Sequence, residues 1–588
     1  MLRSMRRRGP DARGIKITER AILFHTRLIV VDPENGAQPM TQKENGLEYT
    51  IVYNGELYNT EELRKELTAA GIEFFGHSDT EVVLKSYIHW GEKCLDRFNG
   101  IFAFAVWEEA TQRLFFARDR MGVKPFFYAL KNDTFIFGSE IKTLLEYPDI
   151  EPVIDRKGII DLLFIGPGRT PGCGVFRDIH ELEPGHCGTF DRNGLRTFSY
   201  WKLKDRLHTE TFEETSDHVR YLVTDAIRRQ LVSDVPLGTF LSGGLDSSII
   251  SAVAASHFRS LGHQLDTFSV TYTDNQKYFK TSKFQPTTDE PYIQMMAEFL
   301  GSNHHTFVVD NEQLALALKA AVDARDLPGM ADVDSSLLLF CEEIKKHVTV
   351  ALSGECADEI FGGYPWYRDE KIRSAYGFPW AQTTAMRQKF LTPHLRKLID
   401  GEAEVSARYE QALAETDKSE GLSPKESRLR EMVHLNMYWF MQTLLTRKDR
   451  MSMYHGLEVR VPFCDHRIAE YMYSVPWEMN EYKGMEKGLL RHAVEGLLPD
   501  EIRLRKKSPY PKTHNPQYTS IVSGMLKEIT DNSDAPIFDL VDRNALTGLL
   551  NDEFTQPWYG QLMTGPQTMA YMIQLNYWLE KYRVKISL

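Results

Sequence analysis

The 588-residue chain lacks the features of membrane, secreted and nucleic-acid-binding proteins. No apolar run approaches the ~18 residues that span a bilayer. Acidic residues outnumber basic ones by 82 to 70, so no positive excess points to a nucleic-acid partner. The basic start over residues 1–8 is not followed by an apolar segment, so it is not typical of a secretory signal. We therefore expect a cytoplasmic protein without a membrane or nucleic-acid partner.

Cysteine is also scarce. None of the six cysteines stands in a C-x-x-C pair, so the ligand pattern of a structural zinc site is missing. Six cysteines in so long a chain do not make a disulfide scaffold, and a reducing compartment fits best. The six are Cys94, Cys173, Cys187, Cys341, Cys356 and Cys464.

The chain is too long for one hydrophobic core, because single cores stop growing near ~250–300 residues. Residues 20 to about 200 contain short apolar runs bounded by Gly, Asn and Asp, which predict a strand-rich α+β domain. The runs are Ala21–Phe24, Tyr49–Tyr53, Ile101–Trp107 and Leu114–Ala117. A helix is predicted over Thr60–Leu67, with Asn59 as its cap.

The pattern changes near residue 210. Strand-like runs at Leu237–Leu241 and Val348–Leu352 each lead into a Gly-containing loop and a helical segment, which predicts a parallel α/β sheet. After about residue 370 the sequence predicts helices, with amphipathic stretches near 383–400, 405–415, 425–445 and 485–498. We place the two domains at residues 1–205 and 206–588.

The sharpest motif follows the first of these strands. Its two glycines let backbone N–H groups approach an anion, and the helix N-terminus adds donors and a favourable dipole. Asp246 is unfavourable beside a phosphate unless a metal ion or an amine offsets its charge, which suggests Mg²⁺-bound pyrophosphate. No Gly-Lys-Ser/Thr follows, so this is not a Walker loop. The motif is Ser242, Gly243, Gly244, Leu245, Asp246, Ser247 and Ser248.

A second loop follows the strand at Val348–Leu352. It begins Ser353-Gly354 and places three carboxylates within five residues. Loops after neighbouring parallel strands meet at one edge of the sheet, where ligands bind. Carboxylates crowded there need a cation or a proton. The three are Glu355, Asp358 and Glu359.

On these two loops the chain resembles the ATP pyrophosphatases and, within that group, the glutamine-dependent asparagine synthetases, over nearly its whole length. The resemblance implies ATP and Mg²⁺ as cofactors, with Asp246 and Asp358 as candidate Mg²⁺ ligands. It implies that Glu355 is the candidate base for incoming ammonia and that Lys487, in Gly484–Arg491, neutralises charge on the α-phosphate. Asp358 and Tyr364 would bind aspartate. The nucleotide would lie against Phe240, Ser242–Ser248, Val270, Ser353 and Gly354.

One position departs from the family pattern. Cys356 stands where the second loop of the asparagine synthetases usually has glycine. That substitution places the backbone angles at this point in question, while the carboxylates on either side are kept. Arg450–Met453 and Leu457–Asp465 also resemble the synthetase domain and are expected to shape the substrate cleft.

The first 200 residues resemble class II glutamine amidotransferases. Matching segments include Arg8–Asp11, Tyr53–Asn59, Ser78–Glu81 and Ala117–Pro125. The resemblance implies that Arg27 grips the glutamine carboxylate, that Glu56 and Asp79 hold its amino end, and that Asn54 and Gly55 supply oxyanion donors.

The nucleophile of that family is an N-terminal cysteine, whereas residue 2 here is Leu and the first cysteine is Cys94. The Arg8–Asp11 segment also stands about twenty residues earlier than is usual in the family, so the first strand and helix are expected to be missing. Two interpretations stay open: a true start upstream at Met-Cys, which we favour, or an ammonia-only enzyme. On either, the chain as given should not hydrolyse glutamine.

The resemblance implies an Ntn-type αββα sandwich, incomplete at its start, followed by an α/β pyrophosphatase domain with a helical C-terminal part. The expected reaction joins aspartate and ammonia, with glutamine as the family's nitrogen donor, through β-aspartyl-AMP. Alternatives are a relative that adenylates another carboxylate, of the β-lactam or peptide-ring type, and a degenerate nucleotide-binding regulator. A homodimer fits the family, although the sequence does not fix the oligomeric state.

Overall fold

The N-terminal part of the chain, about the first 200 residues and called the N-terminal half below, is built on an antiparallel six-stranded sheet. A computed structural model of the chain describes residues 1–279, 281, 287–560 and 563–588. The strands of this half are β1 Ala12–Ile17, β2 Ile22–Arg27, β3 Met40–Glu44, β4 Leu47–Leu57, β5 Gly100–Glu108, β6 Arg113–Arg118, β7 Phe127–Lys131, β8 Thr134–Gly138, β9 Val153–Ile154, β10 His180–Glu181, β11 His186–Asp191 and β12 Gly194–Ser199. The six-stranded sheet has the order β12-β11-β6-β5-β4-β3, and β1-β2 and β10-β7-β8 form two smaller sheets.

Strand β5 shows how the sheet buries both faces. Phe102, Phe104 and Val106 face the cluster beneath the first two helices. Ala103 and Trp107 face the cluster shared with the smaller sheets. This period of two within a wholly apolar run is what a strand buried on both sides requires. The helices of this half are α1 Thr60–Ala69, α2 Asp79–Trp90, α3 Ile141–Leu144 and α4 Arg156–Ile160.

The helix predicted over Thr60–Leu67 is confirmed as α1, but the prediction that Asn59 caps it is wrong. The Asn59 side chain accepts a hydrogen bond from the Asn99 N–H at 2.9 Å and donates to the Arg97 carbonyl at 2.8 Å. Its polar atoms are therefore used to tie the helix start to the segment before β5.

The C-terminal half contains the predicted parallel sheet. Its strands are β13 Leu237–Phe240, β14 Asp266–Tyr272, β15 Asn303–Val309, β16 Val350–Leu352 and β17 Glu458–Arg460. They pair in the order β15-β14-β13-β16-β17, and every pairing is parallel. Helices α5 Phe212–Arg229, α6 Leu245–Ser260, α7 Asn275–Tyr278, α8 Glu290–Leu300, α9 Asn311–Arg325, α10 Asp332–Lys345 and α11 Ala357–Ile360 accompany the sheet.

The remainder is helical, as predicted; the stretch 405–415 falls within the longer helix Gly401–Ala414, whereas other stretches are divided or shortened. The stretch 383–400 divides into two helices, and in 485–498 the only α-helix is Gly488–Ala493. A π-helical segment, Asn436–Phe440, joins two helices into one run. The helices are α12 Glu370–Ser374, α13 Thr384–Gln388, α14 Pro393–Leu398, α15 Gly401–Ala414, α16 Pro424–Leu435, α17 Met441–Met453, α18 His466–Ser474, α19 Trp477–Asn480, α20 Gly488–Ala493, α21 Asp500–Arg503, α22 Pro516–Asp531, α23 Arg543–Leu550 and α24 Gly565–Tyr582.

The chain end returns to the N-terminal half. Strand β18, Lys585–Ile586, pairs in parallel with β9. In α24, the buried Tyr571 hydroxyl donates to the Leu162 carbonyl at 2.7 Å. These contacts make one packed core of the C-terminal helices and the segment after β9. Among the described residues, no helix is long and apolar enough to cross a membrane.

Candidate active site

The Ser242–Ser248 loop joins β13 to α6, in the strand–loop–helix arrangement expected from the sequence. Gly243 has a φ of +66°, and a Cβ added to it would lie 2.7 Å from the Tyr292 Cβ and 2.8 Å from the Ile293 nitrogen. Only glycine fits such a position without strain. The loop is thus packed closely against α8, and its backbone N–H groups stand at the start of a 16-residue helix.

The serines of this loop brace one another. The Ser242 and Ser247 hydroxyls lie 2.9 Å apart, and the Ser247 hydroxyl also accepts the Ser242 N–H at 3.1 Å. The Ser248 hydroxyl is buried and has no hydrogen-bond partner within the described part of the chain. Leu245 packs into the core, so only its backbone can meet a ligand. The loop is therefore shaped before any anion binds.

Lys487 joins the two loops. Its ammonium lies 2.7 and 2.6 Å from the two Asp246 carboxylate oxygens and 2.6 Å from the Asp358 Oδ1. The lysine is 3% exposed, so this is a buried three-centre ion pair. Burial lowers the pKa of Lys487, but the two carboxylates outweigh burial and raise it. The sequence predicted that a metal ion or a ligand amine would offset Asp246, and the protein supplies an amine of its own.

The amphipathic stretch 485–498 predicts that Lys487 lies within a helix, but it does not. It precedes α20 and has a left-handed backbone conformation, with a φ of +54°. Its neighbour Glu486 accepts the Lys507 N–H at 2.7 Å and pairs with Arg491 at 3.0 Å. These bonds fix the segment that carries the ammonium.

Asp358 also pairs with Lys507, a residue that the sequence analysis missed. Burial raises the pKa of Asp358, but the ammonium groups of Lys487 and Lys507 outweigh it and hold that pKa well below the usual aspartate range. A Cβ added to Gly354 would lie 3.0 Å from the Asp246 Cβ, so the second loop packs directly on the first. The expected convergence of the two loops is therefore present.

Glu355 lies between its own loop and α17 and is largely buried, with its side chain 15% exposed. The Lys448 ammonium lies 2.8 Å from its carboxylate, the Arg447 guanidinium 4.0 Å away, and the Ser353 hydroxyl donates to it. Burial raises the pKa of Glu355, but Lys448 and then Arg447 outweigh burial and lower it below the usual glutamate range. Glu355 is thus held as a carboxylate. Neither cation was singled out from the sequence, because burial of a lysine or arginine leaves no pattern there.

Tyr364, which is partly buried, and Glu359, which is buried, form a pair beside this cluster. The Tyr364 hydroxyl donates to the Glu359 carboxylate at 2.6 Å, and Lys507 lies over its ring at 4.9 Å. Burial, and then the charge of Asp358, raise the pKa of Glu359 to about 7. Tyr364 is therefore next to the residues expected to bind aspartate, although its hydroxyl already has a partner.

Cys356 forms a disulfide with Cys464. Cys356 keeps a left-handed conformation, with a φ of +78°, so the backbone angle that glycine would allow is retained. The bond ties the second loop to the turn after β17. The presence of this disulfide does not agree with the expectation of a reducing compartment, where disulfides are rare.

The two residues expected to flank adenine lie on the neighbouring strands β13 and β14. Phe240 ends β13 and packs against Phe340 of α10, with ring centroids 5.1 Å apart. Val270 lies in the adjacent strand β14 and is partly buried against the same cluster. An apolar wall therefore leads into the phosphate loop.

The five residues predicted to bind glutamine come together in the N-terminal half. All line one cavity of about 1770 Å³ that lies between the six-stranded sheet and the smaller sheets. They are Arg27, Asn54, Gly55, Glu56 and Asp79. None of the six cysteines, all in the described part of the chain, lines this cavity.

Three charged residues of the cavity, Arg27, Asp79 and Glu56, are held differently from those of the synthetase cleft. The Arg27 guanidinium donates to the backbone carbonyls of Val31 at 2.9 Å and Asp32 at 2.7 Å. Burial raises the pKa of Asp79 to about 6, although the Tyr53 hydroxyl donates to it at 2.8 Å. Burial and the nearby Glu458 raise the pKa of Glu56 well above the usual range.

Arg460 connects the cavity to the second loop. Its side chain lies 3.3 Å from the Glu56 carboxylate, and its carbonyl accepts the Ser353 N–H at 2.9 Å. It is fully buried in β17, the edge strand of the parallel sheet. The two sites thus share one residue.

The carboxylates of this site are the side chains that could bind Mg²⁺. The described residues contain no group of three or more His, Cys, Asp or Glu side chains that could hold a metal ion. Mg²⁺ in nucleotide sites binds one or two carboxylates and takes its other ligands from phosphates and water. Asp246 and Asp358, brought together by Lys487, fit that requirement.

The two halves define the class of protein. A glutamine amidotransferase domain model matches residues 1–201, and the asparagine synthase domain model matches residues 218–580. An amidotransferase domain and an ATP-dependent synthetase domain in one chain make a ligase that forms carbon–nitrogen bonds.

Curated relatives narrow the class to one family. Asparagine synthetase 3 (glutamine-hydrolysing) of Bacillus subtilis is 52% identical over 100% of this chain and 96% of its own length. Asparagine synthetase 1 of the same organism is 33% identical over 86% of this chain and 82% of its own. Amidase chry2 of Gibberella zeae is 28% identical over 86% and 83%. The chain belongs to the asparagine synthase family, whose reaction is ATP-dependent asparagine synthesis.

Proposed function

We propose that this chain uses ATP to activate the β-carboxylate of aspartate and transfers ammonia to it, releasing asparagine, AMP and pyrophosphate. The observation that carries the proposal is the Lys487 ammonium, which is buried between Asp246 of the phosphate loop and Asp358 of the second loop. A fixed ammonium between a phosphate cradle and a candidate substrate-binding carboxylate is suited to charge that builds up on the α-phosphate.

The nucleotide is assigned to the edge of the parallel sheet. Phe240 and Val270 flank the adenine, and Ser242–Ser248 with Ser353 and Gly354 receive the phosphates through backbone N–H groups and hydroxyls. Asp246 and Asp358 would hold Mg²⁺, which supplies charge neutralisation for the pyrophosphate when bound. Lys487 stays within reach of both loops.

Aspartate is assigned to the space beside Asp358. The α-amino group of aspartate pairs with the Asp358 carboxylate, and the substrate β-carboxylate oxygen attacks the α-phosphorus, so that the bond to the β-phosphate breaks and pyrophosphate leaves. Ammonia then adds to the acyl carbon, Glu355 accepts a proton from the attached nitrogen, and AMP leaves as asparagine forms. Tyr364 lies at the aspartate end of this arrangement.

Nitrogen for residues 1–588 is assigned to free ammonia. The glutamine-type cavity holds Arg27, Glu56 and Asp79, but no cysteine lines it to form a thioester. Glutamine binding without hydrolysis is the expected behaviour of this cavity. The αββα Ntn-type assignment, the 205/206 boundary, a cytoplasmic location and a homodimer belong to the same proposal.

The test is a panel of carboxylic amino acids. The purified chain is given MgATP, ammonium chloride and one amino acid at a time, and pyrophosphate release is followed. Of the amino acids in the panel, we expect only aspartate to cause pyrophosphate release. AMP and asparagine should form in equal amounts. Release with another carboxylate and none with aspartate would replace the proposed substrate, and ATP binding without release would favour a regulatory protein. Glutamine in place of ammonium should yield no glutamate.

A further inference from the structure

Lys448 is a buried lysine that the proposed reaction leaves without a role. It lies in α17, is 3% exposed, and its ammonium is 2.8 Å from the Glu355 carboxylate. The same ammonium lies over the Phe240 ring, 4.3 Å from its centroid. Lys448 thus stands between the wall assigned to adenine and the carboxylate assigned to the proton of ammonia. Lysines are almost never fully buried unless they are paired.

The charges around this pair do not balance. Glu355 is one carboxylate, and it faces two cations from α17, Lys448 at 2.8 Å and Arg447 at 4.0 Å. The other titratable groups that face the cluster are Cys341 of α10 and Tyr510, whose pKa values burial raises to about 12, so both stay neutral. The cluster therefore carries one positive charge more than it needs for Glu355.

Arg447 shows where the surplus charge lies. It is 4% exposed, its guanidinium lies over the Tyr510 ring at 4.8 Å, and its Nε has no hydrogen-bond partner within residues that the structure describes. A buried guanidinium nitrogen without a partner is costly, so a negatively charged ligand group is the natural complement.

We propose that Lys448 and Arg447 are a positioning pair for amide formation: Lys448 holds Glu355 as an oriented carboxylate beside Phe240, and Arg447 receives an anionic group of the substrate. The inference rests on the proposed function and adds to it two residues that act through Glu355 and the bound nucleotide. It also explains why Glu355 is ionised although it is buried. Burial alone would raise its pKa, and Lys448 provides the largest opposing effect.

Removal of Lys448 should change the pH dependence of amide formation. Removal of a lysine with only a structural role would not produce this change. Without Lys448, burial of Glu355 is opposed only by Arg447 and the Ser353 hydroxyl, so the pKa of Glu355 rises. A protonated Glu355 cannot accept a proton. The rate of amide formation should then fall as the pH is lowered. The adenylation step does not use Glu355 as a base, so its rate should keep the same pH profile.

The experiment uses hydroxylamine as the nucleophile, because it is a weaker base than ammonia and stays unprotonated to lower pH. Hydroxamate formation, expressed per unprotonated nucleophile, and aspartate-dependent ATP–pyrophosphate exchange are measured from about pH 8 to about pH 6. The variants are Lys448→Met, Lys448→Arg and Arg447→Met. Lys345→Met, at a half-buried lysine of α10 bonded to Thr349, is the matched control.

We expect flat hydroxamate rates for the unmodified chain, Lys448→Arg and Lys345→Met. Lys448→Met should lose about tenfold per pH unit at the acid end, with exchange unchanged in shape. Arg447→Met should raise the KM for ATP about tenfold or more with a smaller change in kcat. Lys448→Gln repeats the test if Lys448→Met fails to fold.

Parallel losses at every pH in Lys448→Met would show a structural role only and would overturn the assignment of Lys448. An unchanged KM in Arg447→Met would overturn the anion subsite. Absence of aspartate-dependent exchange in the unmodified chain is a different result, since it removes the proposed function itself.

Discussion

The two sites bury similar carboxylates but treat their charge in opposite ways. In the synthetase cleft, Asp246, Asp358 and Glu355 each lie within 2.8 Å of a lysine ammonium. In the N-terminal cavity, Asp79 has a pKa raised to about 6 and no cation within ion-pair distance among the described residues. The cleft therefore carries its own cations and is suited to an anionic ligand. In the cavity, Arg460 lies 3.3 Å from Glu56, whereas Asp79 has no cation partner in the described part of the chain and is suited to a ligand that brings an ammonium group.

The largest effect is expected from removal of the shared cation. Lys487→Met leaves the partly buried Asp246 and Asp358 side by side without their common partner, which destabilises the local structure. We expect aspartate-dependent pyrophosphate release to fall about a thousandfold. Lys483→Met, at an exposed lysine four residues earlier, is the control and should keep its activity. Equal activity of the two variants would contradict the role given to Lys487.

A second effect separates backbone strain from lost space. Gly243 and Gly262 both have positive φ, at +66° and +77°, but only Gly243 has neighbours where a Cβ would stand. Gly243→Ala should weaken ATP binding about a hundredfold, because the loop must move away from α8. Gly262→Ala should cost only about 1–2 kcal/mol of backbone energy and leave ATP binding intact. Calorimetric titration with ATP decides, and similar affinities would show that the loop tolerates movement.

The cavity should respond to pH through Asp79. Asp79 must be ionised to pair with the ammonium group of glutamine, and its pKa of about 6 means that half of it is protonated near that pH. We expect glutamine affinity to weaken as the pH falls through about 6, by about tenfold for each further unit. Asp79→Asn should bind weakly at every pH. A constant affinity in the unmodified chain would mean that Asp79 does not hold the amino group.

Loss of the disulfide should give a smaller effect, on the stability of the chain. Cys356 and Cys464 are 108 residues apart, and a bond of this kind contributes about 2–4 kcal/mol. Cys464→Ser should lower the melting temperature of the chain without reductant, and reductant should lower that of the unmodified chain to the same value. Cys173→Ser, at a free cysteine, is the control. Identical melting with and without reductant would show that the bond adds no stability.

The sequence predicted the residues that stand in motifs and missed those that act by burial. The loop at 242–248 and the second loop were singled out because short motifs after strands are visible along the chain, and Lys487 was singled out because the segment around it resembles the family. Lys448 and Lys507 were missed because only folding places them beside Glu355 and Asp358.

Other differences have the same origin. The bond between Cys356 and Cys464 joins segments that the parallel sheet brings together, and cysteine spacing carries no sign of it. Asn59 fails as a helix cap because Asn99 and Arg97 compete for its side chain. Contacts between distant parts of the chain, rather than local preference, decide these positions.

The most direct test follows one oxygen atom. Aspartate with oxygen-18 at both β-carboxylate oxygens is incubated with the chain, MgATP and ammonia. The masses of the products are then measured by mass spectrometry. Attack of that carboxylate on the α-phosphorus predicts one heavy oxygen in each AMP and one fewer in each asparagine. Unlabelled AMP, or heavy oxygen in inorganic phosphate together with ADP, would contradict an aspartyl-adenylate formed between the two loops.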